Sequence, residues 1–401
     1  MSGMSFLERL LDGVTVEWKA LGEVGEVTKL AGFEFTKYVK YSDSGSVIAL
    51  RGLNVKGNLD LRDVKYIDKS DFSKLHRSKL YMNDMLFTYV GTIGNVALIN
   101  ENDRYYLAPN VARIRFIDTN IFPRFMFHYF RTNSFTQGQI NKYLGESSMK
   151  NLTMENIRKF QIPIPCPDNP DRSLAIQAEI VRILDTFTEL TAELTAELTA
   201  RQKQYEYYRD RLLTFAEGEV EWKTLAEVFQ MRAGQHISAS KIMQTVNEKY
   251  IYPCFGGNGV RGFVNENSHD GAHLLIGRQG ALCGNVQRMK GRFYATEHAV
   301  VVTSNDQVNI DWAFHMLTVM NLNQYASQSA QPGLAVGNLQ SLKIPIPSLE
   351  EQVNVASILD KFDTLTHSIS EGLPREIALR QKQYEYYRDL LLSFPKLEEE
   401  Q

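Results

Sequence analysis

Apolar residues between 171 and 215 recur at three, four or seven positions: Ile180, Ile183, Leu184, Phe187, Leu190, Leu194, Leu198, Tyr205, Tyr208 and Leu212. That period predicts one long amphipathic helix, and the Glu and Ala between them favour it. Forty-odd residues at ~1.5 Å each make a rod of roughly 65 Å. A second stretch, from about 348 to 394, ends in the same way and predicts a partner helix. Gly372 and Pro374 interrupt it and are expected to kink or break it. Two long helices joining two globular regions predict an antiparallel coiled coil used as a spacer. Elsewhere the pattern is shorter. SVIAL at Ser46, NVALI at Asn95 and AVVVT at Ala299 predict strands. FMFHYF at Phe125 and WAFHML at Trp312 predict buried helical segments lying on a sheet. The fold class is α/β, with two globular α/β domains separated by the helices.

The pattern also repeats. RQKQYEYYRDRLLTF at Arg201 returns at Arg380 as RQKQYEYYRDLLLSF, changed only at Arg211/Leu390 and Thr214/Ser393. VEWKALGEV at Val16 returns as VEWKTLAEV at Val220, and QIPIP at Gln161 as KIPIP at Lys343. IVRILDTF at Ile180 returns as VASILDKF at Val355, and GTIGNV at Gly91 as GALCGNV at Gly280 with one extra residue. A long fixed period means a duplicated unit, and here it predicts a pseudo-two-fold molecule. The division is 1–24, an N-terminal segment completing the repeat; 25–165, a first variable region; and 166–218, a central helical repeat. Residues 219–347 follow as a second variable region with its VEWK opening, and 348–401 as a C-terminal helical repeat. FLERLLDGVTVEWK at Phe6 resembles YRDRLLTFAEGEVEWK at Tyr208, so a ring-like arrangement of two units is expected to bring the termini together.

Composition narrows the function. No apolar run is long enough to span a bilayer, and no basic segment leads an apolar one at the N-terminus. Cys166, Cys254 and Cys283 are too few and too scattered for a disulfide framework or a metal site. The expectation is a reduced, cytosolic protein. Its net charge of −3 hides an uneven distribution: 25–165 carries +7 and 229–347 carries +3, leaving −13 on the remainder. Phosphate binding depends on local sign. Charge alone leaves two readings open, solvated surfaces and nucleic-acid contact. No phosphate-binding glycine loop, zinc-binding helix motif, paired CxxC or dinucleotide fingerprint occurs. Nor does an Asn/Asp-Pro-Pro-aromatic tetrad, and the eight histidines form no triad-like cluster. No catalytic or metal-binding residue is nominated.

Two further features point to partners. TELTAELTAELTA, from Thr188 to Ala200, repeats a tetrapeptide. It packs as helix, and it also offers a length setting: one tetrapeptide is ~6 Å of helix against ~3.4 Å per base pair of DNA. The RQKQYEYYRD helix is polar and aromatic, but Glu206 and Asp210 would repel phosphate. Tyrosine with arginine favours protein interfaces. Tyr205, Tyr208, Arg209, Tyr384, Tyr387 and Arg388 are therefore candidates for docking two copies of one partner.

The doubled RQKQYEYYRD helix, the repeated VEWK opening, the IPIP exits and the TAEL tract resemble the specificity subunit of type I restriction–modification enzymes. The tract and the repeat wording are similar to its IC family. The resemblance implies that the variable regions are target recognition domains, each reading one half of a split asymmetric DNA site, the first domain taking the 5′ half. It implies two modification subunits docked on the helices, forming an adenine methyltransferase that uses S-adenosylmethionine. It implies two restriction subunits adding translocation and cleavage that depend on ATP and Mg. Those cofactors belong to the partners and none to this chain. It also implies that TAEL number follows the length of the nonspecific spacer.

Base readout favours Arg, Lys, Asn and Gln, and phosphate contact favours basic groups. In the first region the candidates are Arg51, Asn54 and Lys56 in ALRGLNVKG, Tyr89 and Thr92 flanking the glycine turn, and Lys142, Lys150 and Asn151 near the exit. In the second, Arg278 and Gln279 precede the same turn. Arg261, Arg288, Lys290 and Arg292 surround it, and Gln331 lies in the exit segment. Leu152/Leu334, Asn156/Asn338 and the IPIP segments read as structural. Two alternatives remain at this point: a non-DNA coiled-coil scaffold organising two protein partners, and a stand-alone nuclease. The TAEL tract and the basic variable regions favour DNA reading over the scaffold. The lack of a metal-binding carboxylate motif disfavours the nuclease.

Overall fold

The computed structural model describes residues 10, 15–30, 37–144, 151–216, 218–280, 282–327 and 332–395. The chain forms two units, residues 1–193 with 377–401 and residues 194–376. The first holds β1 (Val16–Ala20), β2 (Gly25–Lys29), β3 (Ile48–Leu50), β4 (Lys65–Tyr66), β5 (Met85–Thr88), β6 (Val96–Leu98), β7 (Tyr105–Leu107), β8 (Val111–Phe116), α1 (Pro123–Tyr129) and β9 (Gln161–Pro165). Helix α2 (Pro170–Leu212) then begins in the first unit and finishes in the second. The second holds β10 (Glu221–Thr224), β11 (Phe229–Ala233), β12 (Tyr252–Gly256), β13 (Gly259–Val264), β14 (Ala272–Gly277) and β15 (Val286–Lys290). It continues with β16 (Tyr294–Ala295), β17 (Ala299–Ser304), α3 (Ile310–Val319), β18 (Lys343–Ile346) and α4 (Leu349–His367). Helix α5 (Leu373–Leu391) returns the chain to the first unit.

The two variable regions share one topology. A four-stranded antiparallel sheet runs β2-β8-β5-β6 in the first unit and β11-β17-β14-β15 in the second. A three-stranded sheet runs β4-β3-β7 and β13-β12-β16, with its parallel pair at β3–β7 and at β12–β16. Strand by strand the two sets correspond in chain order. Sparse sequence likeness therefore conceals a full structural repeat. The predicted strands fall at β3, β6 and β17, and the two aromatic segments form α1 and α3, with Phe125, Phe127, Trp312 and Leu317 buried.

The repeated VEWK and IPIP segments turn out to be each other's partners. β1 runs antiparallel to β9, and β10 to β18. Proline has no N–H for a ladder on both sides; these sheets have only two strands, so Pro163, Pro165 and Pro345 are tolerated. The pairing closes each variable region on itself, so that it stands as an insert between helical segments.

The long helix is observed as α2, one uninterrupted element. The second copy is broken, as expected, between α4 and α5. Gly372 lies against α4 so closely that a Cβ there would come within 2.2 Å of the Thr364 carbonyl oxygen. Pro374 sits in the first turn of α5, where a missing N–H costs nothing. Within the second unit Tyr205 packs on Phe362 and His367, and Tyr208 on Phe362, so the end of α2 runs opposite to α4. Within the first unit Phe187 stacks on Tyr387 at 5.3 Å, pairing the start of α2 with α5. The expected completion of the repeat by the N-terminal segment falls largely on residues 1–9 and 11–14, outside the described residues. No described helix is long and apolar enough to cross a membrane.

Candidate nucleic-acid interface

In the first unit the chain leaves β3, turns between β5 and β6, and enters β8, all at one end of the sheets. There Tyr41, Arg51, Leu53, Lys56, Thr88, Val90, Thr92, Asn95 and Asn110 line a cavity of about 770 Å³. The β5–β6 turn is held by Thr88, whose hydroxyl donates to the Thr92 carbonyl and accepts from the Asn95 N–H at 3.0 Å. Gly91 and Gly94 have φ of 77° and 93° and supply the left-handed backbone this turn needs. Arg51 donates to the Asp63 carbonyl at 2.9 Å and pairs with its carboxylate at 3.0 Å. Lys56 pairs with Asp60 at 3.1 Å and remains exposed. Hydrogen bonds from Arg62 and then Lys56 hold the Asp60 carboxyl far below the usual carboxylate range.

The second unit has its cleft at the matching place, between the end of β12, the β14–β15 turn and the start of β17. Gly256 to Arg261, Gln279 and His298 line a smaller cavity of about 300 Å³. Gly277 lets the backbone close in: a Cβ there would meet the Gly257 carbonyl oxygen at 2.1 Å. Gln279 Oε1 lies 2.6 Å from His298 Nδ1, and His236 Nδ1 lies 2.9 Å from Glu297 Oε1. The exit segments dock alike. The Leu152 N–H donates to the Tyr89 carbonyl at 3.0 Å, and the Leu334 N–H to the Arg278 carbonyl at 2.8 Å. Both leucine side chains are buried in the core of their unit, which is why that leucine pair recurs in the sequence.

Among the residues nominated from sequence, Arg51, Lys56 and Thr92 meet at the first cleft, and Arg261 and Gln279 at the second. Asn151 is exposed and bridges to the cleft residue Val90. Tyr89 lies under the turn, where burial pushes its phenol up. Lys142 is exposed beside Tyr143. Arg278 donates to the Glu297 carbonyl at 3.2 Å. Lys290 pairs with Asp311 at 3.3 Å and Arg292 with Asp270 at 3.2 Å. Lys150 and Gln331 lie outside the described residues.

Two nominations are corrected. Asn54 is fully buried: its amide donates to the Asp60 and Asp63 carbonyls at 2.8 Å each and accepts from the Arg51 N–H at 3.0 Å. It shapes the loop and has no group left for a base. Arg288 is tied to Asp311, Asp360 and Asp363 and covers the Phe314 ring at 4.2 Å. It joins the sheet to α4. Sequence reasoning missed Tyr41, Asn95, Asn110, Asn258 and His298. Asn95 belongs to the repeated GNV anchor, which was a usable signal. Asn110 and His298 become neighbours of the other lining residues only through strand order.

The helices meet the variable regions through a repeated joint. His128 is fully buried; its Nε2 lies 2.9 Å from Asp185 Oδ1 on α2, and its Nδ1 lies 2.9 Å from the Tyr384 hydroxyl on α5. His315 repeats this with Asp360 on α4 at 2.8 Å and Tyr205 on α2 at 3.4 Å. Arg124 pairs with Asp185 and covers Phe127, as Arg288 does for Asp360 and Phe314. Buried glutamines add a second clamp. Gln177 accepts from the Phe122 N–H at 2.9 Å, and Gln352 from the Asn309 N–H at 2.8 Å. The docking nominations Tyr205, Tyr384 and Arg388 are therefore corrected, since all three are buried inside their own units. Arg209 bonds to Asp210 and lies beside Tyr205. Tyr208 and Tyr387 stay partly exposed, and Tyr207 and Tyr386 more so, at 58% and 65%. Tyrosines at i, i+2 and i+3 of a helix cannot share one face.

Burial pushes both joint histidines below their ordinary value of 6.5, against the pull of Asp185 and Asp360. Burial raises those carboxyls, but hydrogen bonds from His128 and Arg124, and from Arg288 and His315, outweigh it and hold them below 3.8. All four groups then bind protons more weakly folded than unfolded. The histidines' contribution to stability is complete above about pH 6.5 and is lost as pH falls through their folded values. The aspartates' contribution is lost lower, below about 3.8. The unfolding free energy from urea melts is expected to drop as pH falls below about 6.5, by at most about 1.4 kcal/mol per pH unit for each histidine. A free energy unchanged as pH falls below that value would contradict neutral buried histidines.

The model for the Type I restriction modification DNA specificity domain matches this chain twice, at residues 14–201 and 217–379. The chain is 52% identical to the Type I restriction enzyme EcoprrI specificity subunit of Escherichia coli over 388 residues, covering 92% of this chain and 93% of that one. It is 35% identical to the EcoR124I/EcoR124II specificity subunit of Escherichia coli, covering 99% of each. Among solved structures it is similar to a type I restriction–modification S subunit from M. genitalium, with a TM-score of 0.62 at 15% identity, over 98% of this chain and all of that one.

Proposed function

We infer the work of this chain from a premise those matches establish: it belongs to the type I restriction–modification DNA specificity family. As a specificity subunit it selects the DNA sequence on which such an enzyme acts, and its two matched domains fit two half-sites. The finer assignment is ours. Residues 25–165 and 219–347 serve as the target recognition domains, each placing its cleft on one half of a split, asymmetric site. One observation carries this reading. The same cleft is built twice at the same place in the topology, with different chemistry: Arg51, Lys56, Thr92, Asn95 and Asn110 in one, Asn258, Arg261, Gln279 and His298 in the other. A shared scaffold with unlike side chains is what two unlike half-sites require.

The outward tyrosines Tyr207, Tyr208, Tyr386 and Tyr387 would take two modification subunits, and two restriction subunits would complete the assembly. The chemistry rests with those partners: methyl transfer to adenine from S-adenosylmethionine, and cleavage driven by ATP with Mg. The assembly works on double-stranded DNA in the cytoplasm. The test is to express the chain with its modification subunit and sequence the methylome. A split adenine motif is expected. Gln279→Ala should weaken discrimination at one base of one half-site by about ten- to a hundredfold, the worth of a good base contact of 1–3 kcal/mol. Methylation without sequence preference sinks the reading, and a change in both half-sites sinks the cleft assignment.

A further inference from the structure

We propose that Tyr384 and Tyr205 are positioning residues that set how strictly spacer length is enforced, acting through His128 and His315. This rests on the specificity reading above. Each tyrosine belongs to the repeat helix that comes after the other recognition region in the chain. Tyr384 lies beyond the second region yet is packed in the unit of the first, and Tyr205 lies beyond the first yet is packed in the unit of the second. Each recognition region is thus fastened by two helical segments, one contributing the aspartate and one the tyrosine.

The hydrogen bonds allow one arrangement that satisfies every group of the first joint. His128 Nε2–H donates to Asp185, and Nδ1 then accepts from the Tyr384 hydroxyl. The Tyr384 oxygen accepts in turn from Arg131 Nη1 at 3.1 Å. The chain of donors Arg131, Tyr384, His128 ends on a carboxylate that Arg124 also holds. Asp389 extends the fastening by accepting from the Asn133 N–H and side chain at 3.2 and 2.7 Å. Such a joint fixes the aromatic helix in both position and rotation, because a buried imidazole between two directional partners has no second satisfied pose. The second joint is longer, 3.4 Å at Tyr205 against 2.9 Å at Tyr384. Whatever separation the helices impose, a recognition region that rocks on them blurs it. The bases read in each half would be untouched, since the joints lie on the helices and the clefts at the strand ends.

The test uses the complex of the full chain with its modification subunit. The half-sites come first from the wild-type methylome. Absence of a split motif there would defeat the specificity reading, and this proposal with it. Duplexes with those half-sites and spacers up to two base pairs longer or shorter are then methylated by wild type, Tyr384→Phe and Tyr205→Phe. The ratio of off-spacer to native-spacer methylation is expected to rise about three- to tenfold in Tyr384→Phe, the scale of one buried hydrogen-bond partner lost, and less in Tyr205→Phe. A merely structural role would lower all rates together and leave the ratio alone. Asp185→Asn, which keeps the shape, should raise the ratio as well. An unchanged ratio in both Tyr384→Phe and Asp185→Asn, or a changed half-site sequence, overturns the proposal.

Discussion

Deleting Thr191–Leu194 shifts the required spacer to a shorter length and leaves both half-sites as they were. The four residues are one TAEL unit in the middle of α2, in a stretch with no proline or glycine. Their removal shortens a continuous helix by ~6 Å and rotates its C-terminal part by about 40°. At ~3.4 Å per base pair, the new spacer should be shorter by about one or two base pairs. No group of either cleft lies in the deleted segment. The joint residues Asp185 and Tyr205 stand on either side of it and keep their own neighbours. The return path of the chain is not one continuous helix, because α4 and α5 are separated by the break at Ser368–Gly372. Methylome sequencing reads the outcome. Methylation at the original spacing should fall by about two orders of magnitude, since both clefts can no longer be seated together and each lost base contact is worth about 1–3 kcal/mol. A motif with the old spacer refutes the length-setting role of the tract.

The sequence announced the helices because their pattern is long and periodic: the expected span of 171 to 215 lies within a few residues of the observed Pro170–Leu212. The break before α5 was equally visible, because glycine and proline act locally. The VEWK and IPIP segments stood out as repeats, but their pairing did not, since a register between distant strands leaves no mark on either one. The correspondence of the two recognition regions was hidden for a related reason. Topology is carried by buried aliphatic and aromatic positions that exchange freely, as Phe87 and Ile276 show, each opposite the valine of its GNV anchor. Polar type and closeness to a glycine turn nominated Arg51, Thr92 and Gln279, which line the clefts. The same criterion wrongly nominated Asn54, whose amide spends itself on its own loop. The two joints were half visible. His128 and His315 stood in similar aromatic settings, and LDTF and LDKF held their aspartates. The covering arginines come from unlike elements, Arg124 from α1 and Arg288 from β15, so no alignment could pair them.

Arg288→Ala is expected to destabilise the second unit by about 3 kcal/mol while the methylated motif stays unchanged. The guanidinium sits among Asp311, Asp360 and Asp363, each of them only a quarter to a third exposed. Without it these carboxylates face one another, with Lys290 left on Asp311, His315 on Asp360 and His367 on Asp363. Leaving partly buried like charges without their cation costs more than forming the pair returned. The contact with Phe314 is lost too. Arg288→Met separates the two effects, for it keeps a stem over the ring and removes the charge. It should recover only the smaller, packing part of the loss. A DNA-reading arginine would give the reverse pattern, with stability kept and one base position of the second half-site relaxed. Urea unfolding of the two variants, set beside their methylomes, decides between a joint and a reader.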